Sequence, residues 1–374
     1  MKIGIVCYPT YGGSGVLATE LGKALALKGH QVHFITYAQP IRLDSFSENI
    51  FYHEVRFADY PLFELAPFET ALTSKIIDVV KYEKLDLLHV HYAIPHASVA
   101  YMAKQILQQD NYRLPVVTTL HGTDITLVGK DPSYSPVVTF SIMQSDAVTA
   151  VSKHLQYETQ KYFHIRKPID VVYNFVDLNR FVPQSNEHLK RRFAPKGEYI
   201  LTHMSNFRKV KRVQDVVKIF AQVQKVLSAK LLLIGDGPER INIELMCREC
   251  GICDHITFLG KQDAVEDILA ISDIFLLPSE SESFGLAALE AMACRVPCVS
   301  SNAGGLPEVN IDNITGFLAP VGDIDTMAQK AIYILSDEYR LMTFKENAYI
   351  QAQNFSIDLI LPQYEKIYQR LFST

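Results

Sequence analysis

The stretch KIGIVCYPTYGGSGVLATELGKALAL, residues 2–27, carries the pattern that decides the fold. Residues 2–7 form a short apolar run, which predicts a strand, and at 16–27 apolar residues recur at helical spacing. The glycine cluster at 12–15 lies between them and predicts a loop. The stretch therefore predicts a strand, a glycine-rich loop and a helix, in that order.

Further along the chain the same alternation repeats. Strands are predicted at 31–36, 86–91, 115–120 and 146–151, with helices at 70–82, 96–108 and 136–144. A second series has strands at 199–204, 230–235, 256–260, 274–278 and 297–301 and helices at 212–227, 238–250, 263–270 and 285–293. Because such alternation is typical of parallel sheets covered by helices on both faces, the predicted fold class is α/β with two Rossmann-like, doubly wound domains.

The segment between the two series has the composition of a linker, with two prolines and a basic run within 182–197. We expect an N-terminal domain at 1–168 and a second domain at 169–355. A last helix within 356–374 follows, and the sequence leaves open whether it packs back on the first domain. The expected site is the cleft between the two domains.

The composition excludes several classes of protein. With 374 residues, 48% hydrophobic and 21% charged, the chain has the composition of a folded two-domain enzyme and not of a disordered protein. A net charge of −5 gives no basic face for nucleic acid, and no apolar stretch approaches the ~20 residues that span a bilayer. We expect a cytoplasmic protein with reduced cysteines and no stable membrane insertion, and a homo-oligomer remains compatible with the sequence.

Two polar segments follow predicted strands of the first domain, at the sheet edge where ligands bind. In the glycine-rich loop, Gly12, Gly13, Ser14 and Gly15 open a helix whose N-terminus can hold an anion, although the pattern is not G-x-G-x-x-G. The alternative is a tight turn that needs positive φ. The segment 118–124 presents Thr119, His121 and Asp124, which we expect to bind ligand, although Asp124 could instead cap a helix.

A third segment of the first domain, LHVHYAIPHA, contains three histidines and a tyrosine. His89 and His91 share one strand face and His96 lies in the following turn, so a zinc site is an alternative here. Tyr92, at the end of the strand, is the better candidate for binding an acceptor.

In the second domain, the basic loop SNFRKVKR follows the first strand. Arg208 and Lys211 can stabilise the negative charge of a leaving pyrophosphate, and a solvated basic loop is the alternative. The segment 279–299 contains Glu282 and Glu290, one before a predicted helix and one on it. Two such carboxylates suit binding of sugar and ribose hydroxyls. In the alternative, Glu282 only interacts with the positive end of the helix dipole, and Glu290 lies on the surface.

Two motifs resemble metal sites, but a structural role is expected for each. Asp323-Ile324-Asp325 matches D-x-D, yet it precedes a helical run where an N-cap is expected. Three cysteines and a histidine have zinc-like spacing but lack the second half of a zinc site, and a helix that ends near Gly251 accounts for them. These four residues are Cys247, Cys250, Cys253 and His255. We expect no essential metal and no cofactor.

Together these motifs resemble the retaining glycosyltransferases of family four, which have the glycosyltransferase B fold, and the resemblance covers essentially the whole chain. It implies that Glu282 contacts the donor sugar and that Glu290 holds the ribose of a nucleotide sugar. The donor contacts implied nearby come from the backbone of Phe284, Gly285 and Leu286.

The same resemblance implies further donor contacts. It places His121 beside the donor sugar, main chain at Leu259 against the base, and Ser205 and Asn206 in the donor loop. Family members commonly have an arginine at the position of Asn206, five residues before the lysine that matches Lys211. Here the arginine is displaced to Arg208, so the lysine match is the closer one.

Segments of the first domain are similar to the branch of the family that makes N-acetyl-α-glucosaminyl malate for bacillithiol. That similarity implies UDP-N-acetylglucosamine as donor and L-malate as a small hydroxy-acid acceptor, with acceptor contacts from Tyr92, Thr119, Asp124 and Arg42. Related chains carry an arginine where this one has Thr139, so Arg42 or Lys130 is a hypothetical substitute for holding the carboxylates.

The implied reaction is a front-face substitution in which the leaving phosphate takes the proton of the acceptor hydroxyl, so no protein nucleophile is needed. Three alternatives stay open. The chain could use another small acceptor, act as a UDP-sugar 2-epimerase, or bind a sugar nucleotide without catalysis. A nicotinamide dehydrogenase is disfavoured because the glycine loop lacks the dinucleotide fingerprint.

Overall fold

A computed structural model of the chain describes residues 1–10, 12–43, 47–57, 67–183 and 186–373. Tyr11, in the predicted glycine loop, lies outside these ranges. The chain forms two compact units. Unit 1 consists of Met1–Asn174 and Ile357–Thr374, and unit 2 of Phe175–Ser356. The predicted N-terminal domain ends at residue 168, whereas the first segment of unit 1 continues to Asn174.

Unit 1 is built on a parallel sheet whose strands follow the order β3-β2-β1-β4-β5-β6-β7. Its strands are β1 (Lys2–Val6), β2 (Gln31–Thr36), β3 (Ile50–Glu54), β4 (Leu87–His91), β5 (Val116–Leu120), β6 (Ala147–Ala150) and β7 (Asp170–Val171). The central strands β4, β5 and β6 are buried along their whole length, as expected for strands that carry helices on both faces.

The helices of unit 1 cover this sheet. They are α1 (Gly13–Leu27), α2 (Phe68–Glu83), α3 (Ser98–Gln109), α4 (Ser135–Gln144), α5 (Lys153–Phe163) and, after unit 2, α14 (Ile357–Arg370). Single wide helical turns at Ala93–Ala97 and Thr123–Leu127 follow β4 and β5 directly. One core of unit 1 lies where Ile76 of α2 and Ala103 of α3 pack against Val90 of β4.

The predicted strands and helices of unit 1 are confirmed to within a few residues, but β3, β7 and α5 were not predicted. The strand β3 is not predicted because it is an edge strand whose side chains are largely exposed. It therefore lacks the continuous apolar run that marks a buried strand. The strand β7 has only two residues, Asp170 and Val171, and is too short for any periodic signal.

Helix α14 belongs to unit 1, although the whole of unit 2 precedes it in sequence. Its buried side chains include Ile360, Leu361 and Tyr368. A carboxylate oxygen of Glu365 lies 3.1 Å from Nε2 of His30, at hydrogen-bond distance. His30 follows the end of α1 closely in the chain. Unit 1 is therefore completed by a segment far from its other elements in the chain.

Unit 2 has the same architecture, with a parallel sheet in the order β10-β9-β8-β11-β12-β13. Its strands are β8 (Tyr199–Met204), β9 (Ala229–Ile234), β10 (Ile256–Gly260), β11 (Ile274–Leu277), β12 (Cys298–Ser301) and β13 (Gly316–Ala319). Its helices are α6 (Glu187–Phe193), α7 (Val213–Gln224), α8 (Arg240–Glu249), α9 (Val265–Ala270), α10 (Leu286–Ala293), α11 (Leu306–Val309), α12 (Ile324–Leu335) and α13 (Glu338–Gln353). The predicted elements of this half are confirmed, and the strand order makes both units doubly wound.

One core of unit 2 lies between its sheet and the helices α7 and α12. There Phe220 of α7 packs with Leu231 of β9 and Met327 of α12. All six cysteines of the chain are free thiols. Among the described residues, no helix combines the length and the apolar character that a bilayer crossing requires.

Candidate functional site

The central strands of unit 1 bring three predicted segments to one sheet edge. Because β1, β4 and β5 are neighbours and parallel, the residues that follow them lie side by side at the carboxyl edge. These residues are Tyr8 and the glycine loop after β1, Tyr92 after β4, and His121 after β5.

Tyr92 connects this edge to the glycine loop. Its hydroxyl lies 2.7 Å from the Ser14 hydroxyl, at hydrogen-bond distance, and its ring contacts that of His121 with centroids 5.1 Å apart. The backbone at Tyr92 has φ 87°, a conformation that a bulky residue rarely adopts, so the surrounding structure must hold it. Burial raises the pKa of Tyr92 to about 12, so its hydroxyl stays protonated and can donate a hydrogen bond at pH 7.

Asp124 holds the turns after β4 and β5 together. One carboxylate oxygen accepts a hydrogen bond from the amide of Ala93 at 2.7 Å, and the other accepts one from the amide of Gly122 at 3.0 Å. Burial raises the pKa of Asp124 to about 6, against the effect of these amides. With both oxygens already bonded, Asp124 positions the loops around Tyr92 and His121, and direct acceptor binding by this residue stays a prediction.

His121 is bonded to His91, with His91 Nδ1 and His121 Nε2 2.8 Å apart. Burial lowers the pKa of His121 to about 3 and that of His91 well below its ordinary value, although His121 keeps an accessible edge. Both rings are therefore neutral at pH 7, and one of them donates to the other. His121 thus sits at the edge as a fixed, uncharged imidazole.

Thr119 is predicted to bind acceptor, but its side chain is directed into the core. Its hydroxyl lies 2.7 Å from His89 Nε2 and 2.7 Å from the Thr149 hydroxyl. The other nitrogen of His89 lies 2.7 Å from the Tyr368 hydroxyl of α14. Because Thr119 is buried in this network, its observed contacts are structural, and the predicted acceptor contact has no support from them.

The strand histidines form hydrogen bonds within the fold, although His91 Nε2 is buried without a hydrogen-bond partner among the described residues. His89 bonds to Thr119 and Tyr368, and His96 Nδ1 donates to the carbonyl of His91 at 2.5 Å. In the part of the chain that the structure describes, these histidines do not form a group of three with converging ligand atoms. The zinc alternative for this segment therefore has no geometric support.

The two basic residues predicted as partners for the carboxylates of the acceptor have acidic neighbours. Arg42 lies 4.0 Å from a carboxylate oxygen of Glu20 on α1. Lys130 lies 3.4 Å from Glu158 and stacks on the ring of Tyr162, 3.7 Å from its centroid. Each cation is thus at least partly neutralised within unit 1.

The glycine loop does not form the tight turn with positive φ that is the alternative to an anion site. Gly12 caps α1 with φ −82°, and neither it nor Gly15 has positive φ, so that alternative is wrong. Gly15 is needed for space, because a Cβ there would lie 2.4 Å from the carbonyl oxygen of Tyr8 and 2.6 Å from that of Thr10. The helix α1 also begins at Gly13, earlier than the predicted residue 16, so Ser14 lies in its first turn.

In unit 2, the strand order brings the basic loop to the acidic segment. The strands β8 and β11 are parallel neighbours, so the loops that follow them emerge side by side. Lys211 Nζ donates a hydrogen bond to Glu282 Oε1 at 2.6 Å, and the Ser279 hydroxyl donates to the same oxygen at 2.8 Å. Glu282 Oε2 accepts no hydrogen bond from any described residue, so it is available to a ligand.

Neighbouring residues hold this ion pair in place. Gly305 donates its amide to the carbonyl of Glu282 at 2.9 Å, and a Cβ at Gly304 would lie 1.9 Å from that carbonyl oxygen. Gly304 also has φ +61°, so both space and conformation require glycine there. The backbone of Glu282 is thus packed tightly against the loop that follows β12.

The helix α10 begins beside this pair. Gly285 precedes it with φ 103°, and no described side chain caps its first turn. Phe284 is buried and packs edge-on against Phe355, which anchors the segment. The N-terminus of an uncapped helix is a favourable position for a phosphate.

Glu290 lies on α10 and is only 6% exposed. The alternative that placed it on the surface is therefore wrong. Its role in binding the ribose hydroxyls stays a prediction.

Four further predicted residues of unit 2 lie at the same edge or beside it. Asn206 and Arg208 are exposed in the loop after β8, and Arg208 forms no ion pair with a described residue, so its charge is open to an anion. The Ser205 hydroxyl lies 2.8 Å from His203 Nε2, at hydrogen-bond distance. Leu259 is on the edge strand β10, where its carbonyl accepts a hydrogen bond from Gln262.

The two metal-like motifs have structural roles. Asp323 accepts a hydrogen bond from the amide of Thr326 at 3.0 Å and caps α12, as predicted. Helix α8 ends at Glu249 and Gly251 follows with φ 65°, which confirms the predicted helix end in the cysteine segment. Within the described ranges, those cysteines and His255 do not converge into a ligand group.

Several contacts of the site have no signal in the sequence. The hydrogen bond between Ser14 and Tyr92 and the one between His91 and His121 join residues that are distant in sequence, so no local pattern reveals them. The loop with Gly304 and Gly305 could have been found, because it repeats the strand, double glycine and helix pattern of residues 2–27.

The chain matches two families of known proteins. Residues 11–180 match the Glycosyltransferase Family 4 model, and residues 184–351 match the model of group 1 glycosyl transferases. Over 370 residues the chain is 50% identical to N-acetyl-alpha-D-glucosaminyl L-malate synthase of Bacillus anthracis, an alignment that spans 98% of this chain and 96% of that protein.

Two solved structures have the same fold. Sucrose-phosphate synthase of Thermosynechococcus elongatus superimposes with a TM-score of 0.84 at 21% identity, over 100% of this chain and 99% of that one. Anabaena HepE in complex with UDP and glucose also gives a TM-score of 0.84 at 21% identity, over 99% of each chain. At such identities the likeness establishes the fold alone, which is the glycosyltransferase B fold predicted from the sequence.

Proposed function

This chain belongs to the family-four glycosyltransferases, and from that premise we propose that it transfers N-acetylglucosamine from UDP-N-acetylglucosamine to the hydroxyl of L-malate. The product is N-acetyl-α-glucosaminyl L-malate, the first intermediate of bacillithiol synthesis. The 50% identity to the Bacillus anthracis synthase along almost the whole chain supports this choice of substrates. A cytoplasmic location is part of the proposal, and the six free thiols support it.

The observation that carries the proposal is the ion pair between Lys211 and Glu282. We assign Glu282 Oε2 to the hydroxyls of the donor sugar, because Oε1 is already occupied by Lys211 and Ser279. The ammonium group of Lys211 and the guanidinium of Arg208 then stabilise the charge that develops on the diphosphate as it leaves. These two cations supply the positive charge, so the proposed reaction needs no metal ion.

The remaining donor contacts extend along the same unit. The N-terminus of α10 at Gly285 and Leu286 binds the diphosphate, and Glu290 accepts hydrogen bonds from the ribose hydroxyls. Leu259 contributes main-chain contacts to the base, and Ser205 and Asn206 line the loop after β8. Within unit 1, the glycine loop at 12–15 opens α1, whose N-terminus is assigned to an anionic group.

The acceptor contacts are assigned to unit 1. The hydroxyls of Tyr92 and Ser14 form a bonded pair that can bind a malate carboxylate, and the neutral imidazole of His121 is in ring contact with Tyr92. Arg42 is the cation assigned to the second carboxylate, with its charge moderated by Glu20.

The proposed chemistry is a front-face substitution. The bond from the anomeric carbon to the phosphate oxygen breaks, and the malate hydroxyl oxygen bonds to that carbon on the same face, so its configuration is retained. The departing phosphate oxygen takes the hydroxyl proton. No protein group acts as nucleophile, and the neutral His121 is suited to hydrogen bonding and not to carrying a charge.

The decisive experiment combines UDP release with mass spectrometry of the product. With UDP-N-acetylglucosamine and L-malate, we expect UDP and a product with the mass of N-acetylglucosaminyl malate, whose anomeric coupling by NMR is that of the α form. Inositol phosphates and other hydroxy acids serve as competing acceptors. An isomerised UDP-sugar without acceptor would identify an epimerase, and equal UDP release with and without malate would contradict the proposal.

A further inference from the structure

One cluster of metal-binding side chains lies away from the residues assigned to the reaction. It consists of His33 on β2, His53 on β3 and Glu83 at the end of α2. One nitrogen of each imidazole and one carboxylate oxygen lie within 4.8 Å of one another. Within the described part of the chain this is the one group of three or more such residues whose ligand atoms converge.

We propose that His33, His53 and Glu83 bind a divalent cation of the zinc class, which ties the edge strand β3 to β2 and to the end of α2.

The strand register brings the two histidines together. His33 pairs with Phe51 and Ile35 pairs with His53, so His33 and His53 are diagonal neighbours on one face of the sheet. His33 Nδ1 and His53 Nε2 are 2.9 Å apart, and the rings are nearly parallel at 14°. In a tetrahedral zinc site with bonds of about 2.0–2.1 Å, neighbouring ligand atoms are about 3.3 Å apart, close to this spacing.

The hydrogen bonding of His33 leaves this ring able to act as a ligand. His33 is only 1% exposed, yet its Nε2 has no hydrogen-bond partner among the described residues. Coordination through Nδ1 places the ring proton on this Nε2 and replaces only the hydrogen bond to His53.

Glu83 completes the donor set. Two imidazoles and one carboxylate suit a borderline cation such as zinc, and a water can fill a fourth position. Glu83 is half-buried at the last residue of α2, and one of its carboxylate oxygens lies within 4.8 Å of a nitrogen of each imidazole. Lys2 Nζ is bonded to the carbonyl of Glu83 at 2.9 Å, so the backbone there is already tied to β1.

The test is a calorimetric titration of the full chain, without an affinity tag and stripped by chelator, with zinc chloride alone. Because Cys250 and Cys253 are exposed thiols, the parent protein and every variant carry serine at both positions. We expect one zinc per chain in the parent protein. His53→Gln and Glu83→Gln should each weaken zinc binding at least tenfold, since each removes one of three ligands.

His188→Gln is the matched control, because His188 is exposed and lies in unit 2. It should bind zinc as the parent protein does. Zinc should also raise the Tm of the parent and the control but not of the two ligand variants. His33 is left unsubstituted because its burial risks unfolding. The absence of zinc uptake by the parent, or undiminished affinity in both Glu83→Gln and His53→Gln, would overturn the proposal.

Discussion

Glu282 is held by three separate elements before any substrate binds. Lys211 and Ser279 donate to its carboxylate, and the amide of Gly305 donates to its carbonyl. A carboxylate fixed in this way loses little freedom when a sugar hydroxyl binds, so its interaction energy goes into binding and not into ordering.

We predict that Lys211→Ala and Glu282→Ala each lower kcat/KM by about 10²-fold or more, the usual effect of removing a group that stabilises developing charge or orients the substrate. The double variant should lose less than the product of the two, because each single change leaves the other member of the pair without its partner. Steady-state kinetics of the three variants measures this.

Lys225→Ala is the matched control for charge, since Lys225 is exposed at the end of α7. It should have wild-type kinetics. Near-normal rates in both single variants at the ion pair would contradict the assigned site, and strict multiplicativity would contradict their direct contact.

The histidine cluster of unit 1 predicts acid sensitivity. The pKa of His121 is lowered by burial to about 3, so between pH 3 and 6.5 the unfolded chain binds more protons there than the folded chain. The contribution of His121 to the free energy of unfolding is therefore fully present above pH 6.5 and decreases as the pH falls through that window. The contribution of one such group is at most about 1.4 kcal/mol per pH unit.

We expect His121→Asn to reduce the slope of the free energy of unfolding against pH between pH 6.5 and 4.5. Urea denaturation at several pH values measures it. His188→Asn, at an exposed position, should leave the slope unchanged. If the slopes of His121→Asn and wild type coincide, the imidazole is not held neutral in the folded state.

At the scale of elements, the start of α1 depends on the close approach of two backbones. Gly15→Ala would place a methyl group 2.4 Å from the carbonyl oxygen of Tyr8, so the helix must shift. We predict a loss of stability of about 1–3 kcal/mol, typical of overpacking. Chemical denaturation of the variant measures it.

Gly12→Ala provides the comparison within the same loop. Gly12 has φ −82°, and the nearest atom to an added Cβ is the Thr10 hydroxyl at 3.7 Å. Its stability should change by less than about 1 kcal/mol. Equal destabilisation by both substitutions would show that conformational freedom, and not space, is the reason for glycine at these positions.

The sequence predicted the elements better than their contacts. Buried strands such as β9 and β11 consist mostly of apolar residues, so they are visible in the sequence, whereas the exposed edge strand β3 is not. Lys211 and Glu282 were each predicted from their loops. Their ion pair was not, because 71 positions separate them and strand order alone brings them together.

At the scale of the whole molecule, α14 is the element that completes unit 1. It buries Ile360, Leu361, Tyr364, Ile367 and Tyr368. Each large apolar side chain of this kind contributes roughly 1.5–3 kcal/mol when fully buried, which together is comparable to the whole stability of a domain.

We therefore predict that a chain ending at Ser356 cannot keep unit 1 folded, whereas residues 175–356 expressed alone give a folded unit 2. Near-UV circular dichroism and urea unfolding distinguish the two outcomes. A truncated chain with both units at wild-type stability would contradict the prediction.

Tyr368→Phe is a milder change in α14 for comparison with the truncation. It keeps the apolar ring but removes the hydroxyl that bonds to His89, at an expected cost of about 1–3 kcal/mol for a buried group left unpaired. Urea denaturation should show this smaller loss with unit 1 still folded.

The position of α14 in the chain also sets an order of events during translation. All the strands of unit 1 leave the ribosome before unit 2 begins, yet their sheet lacks the helix that covers the histidine network until α14 emerges. Unit 2 is one continuous segment and can complete its core first. The nascent chain must therefore carry an unfinished first half while the second half folds, and that first half is the part most in need of chaperone protection.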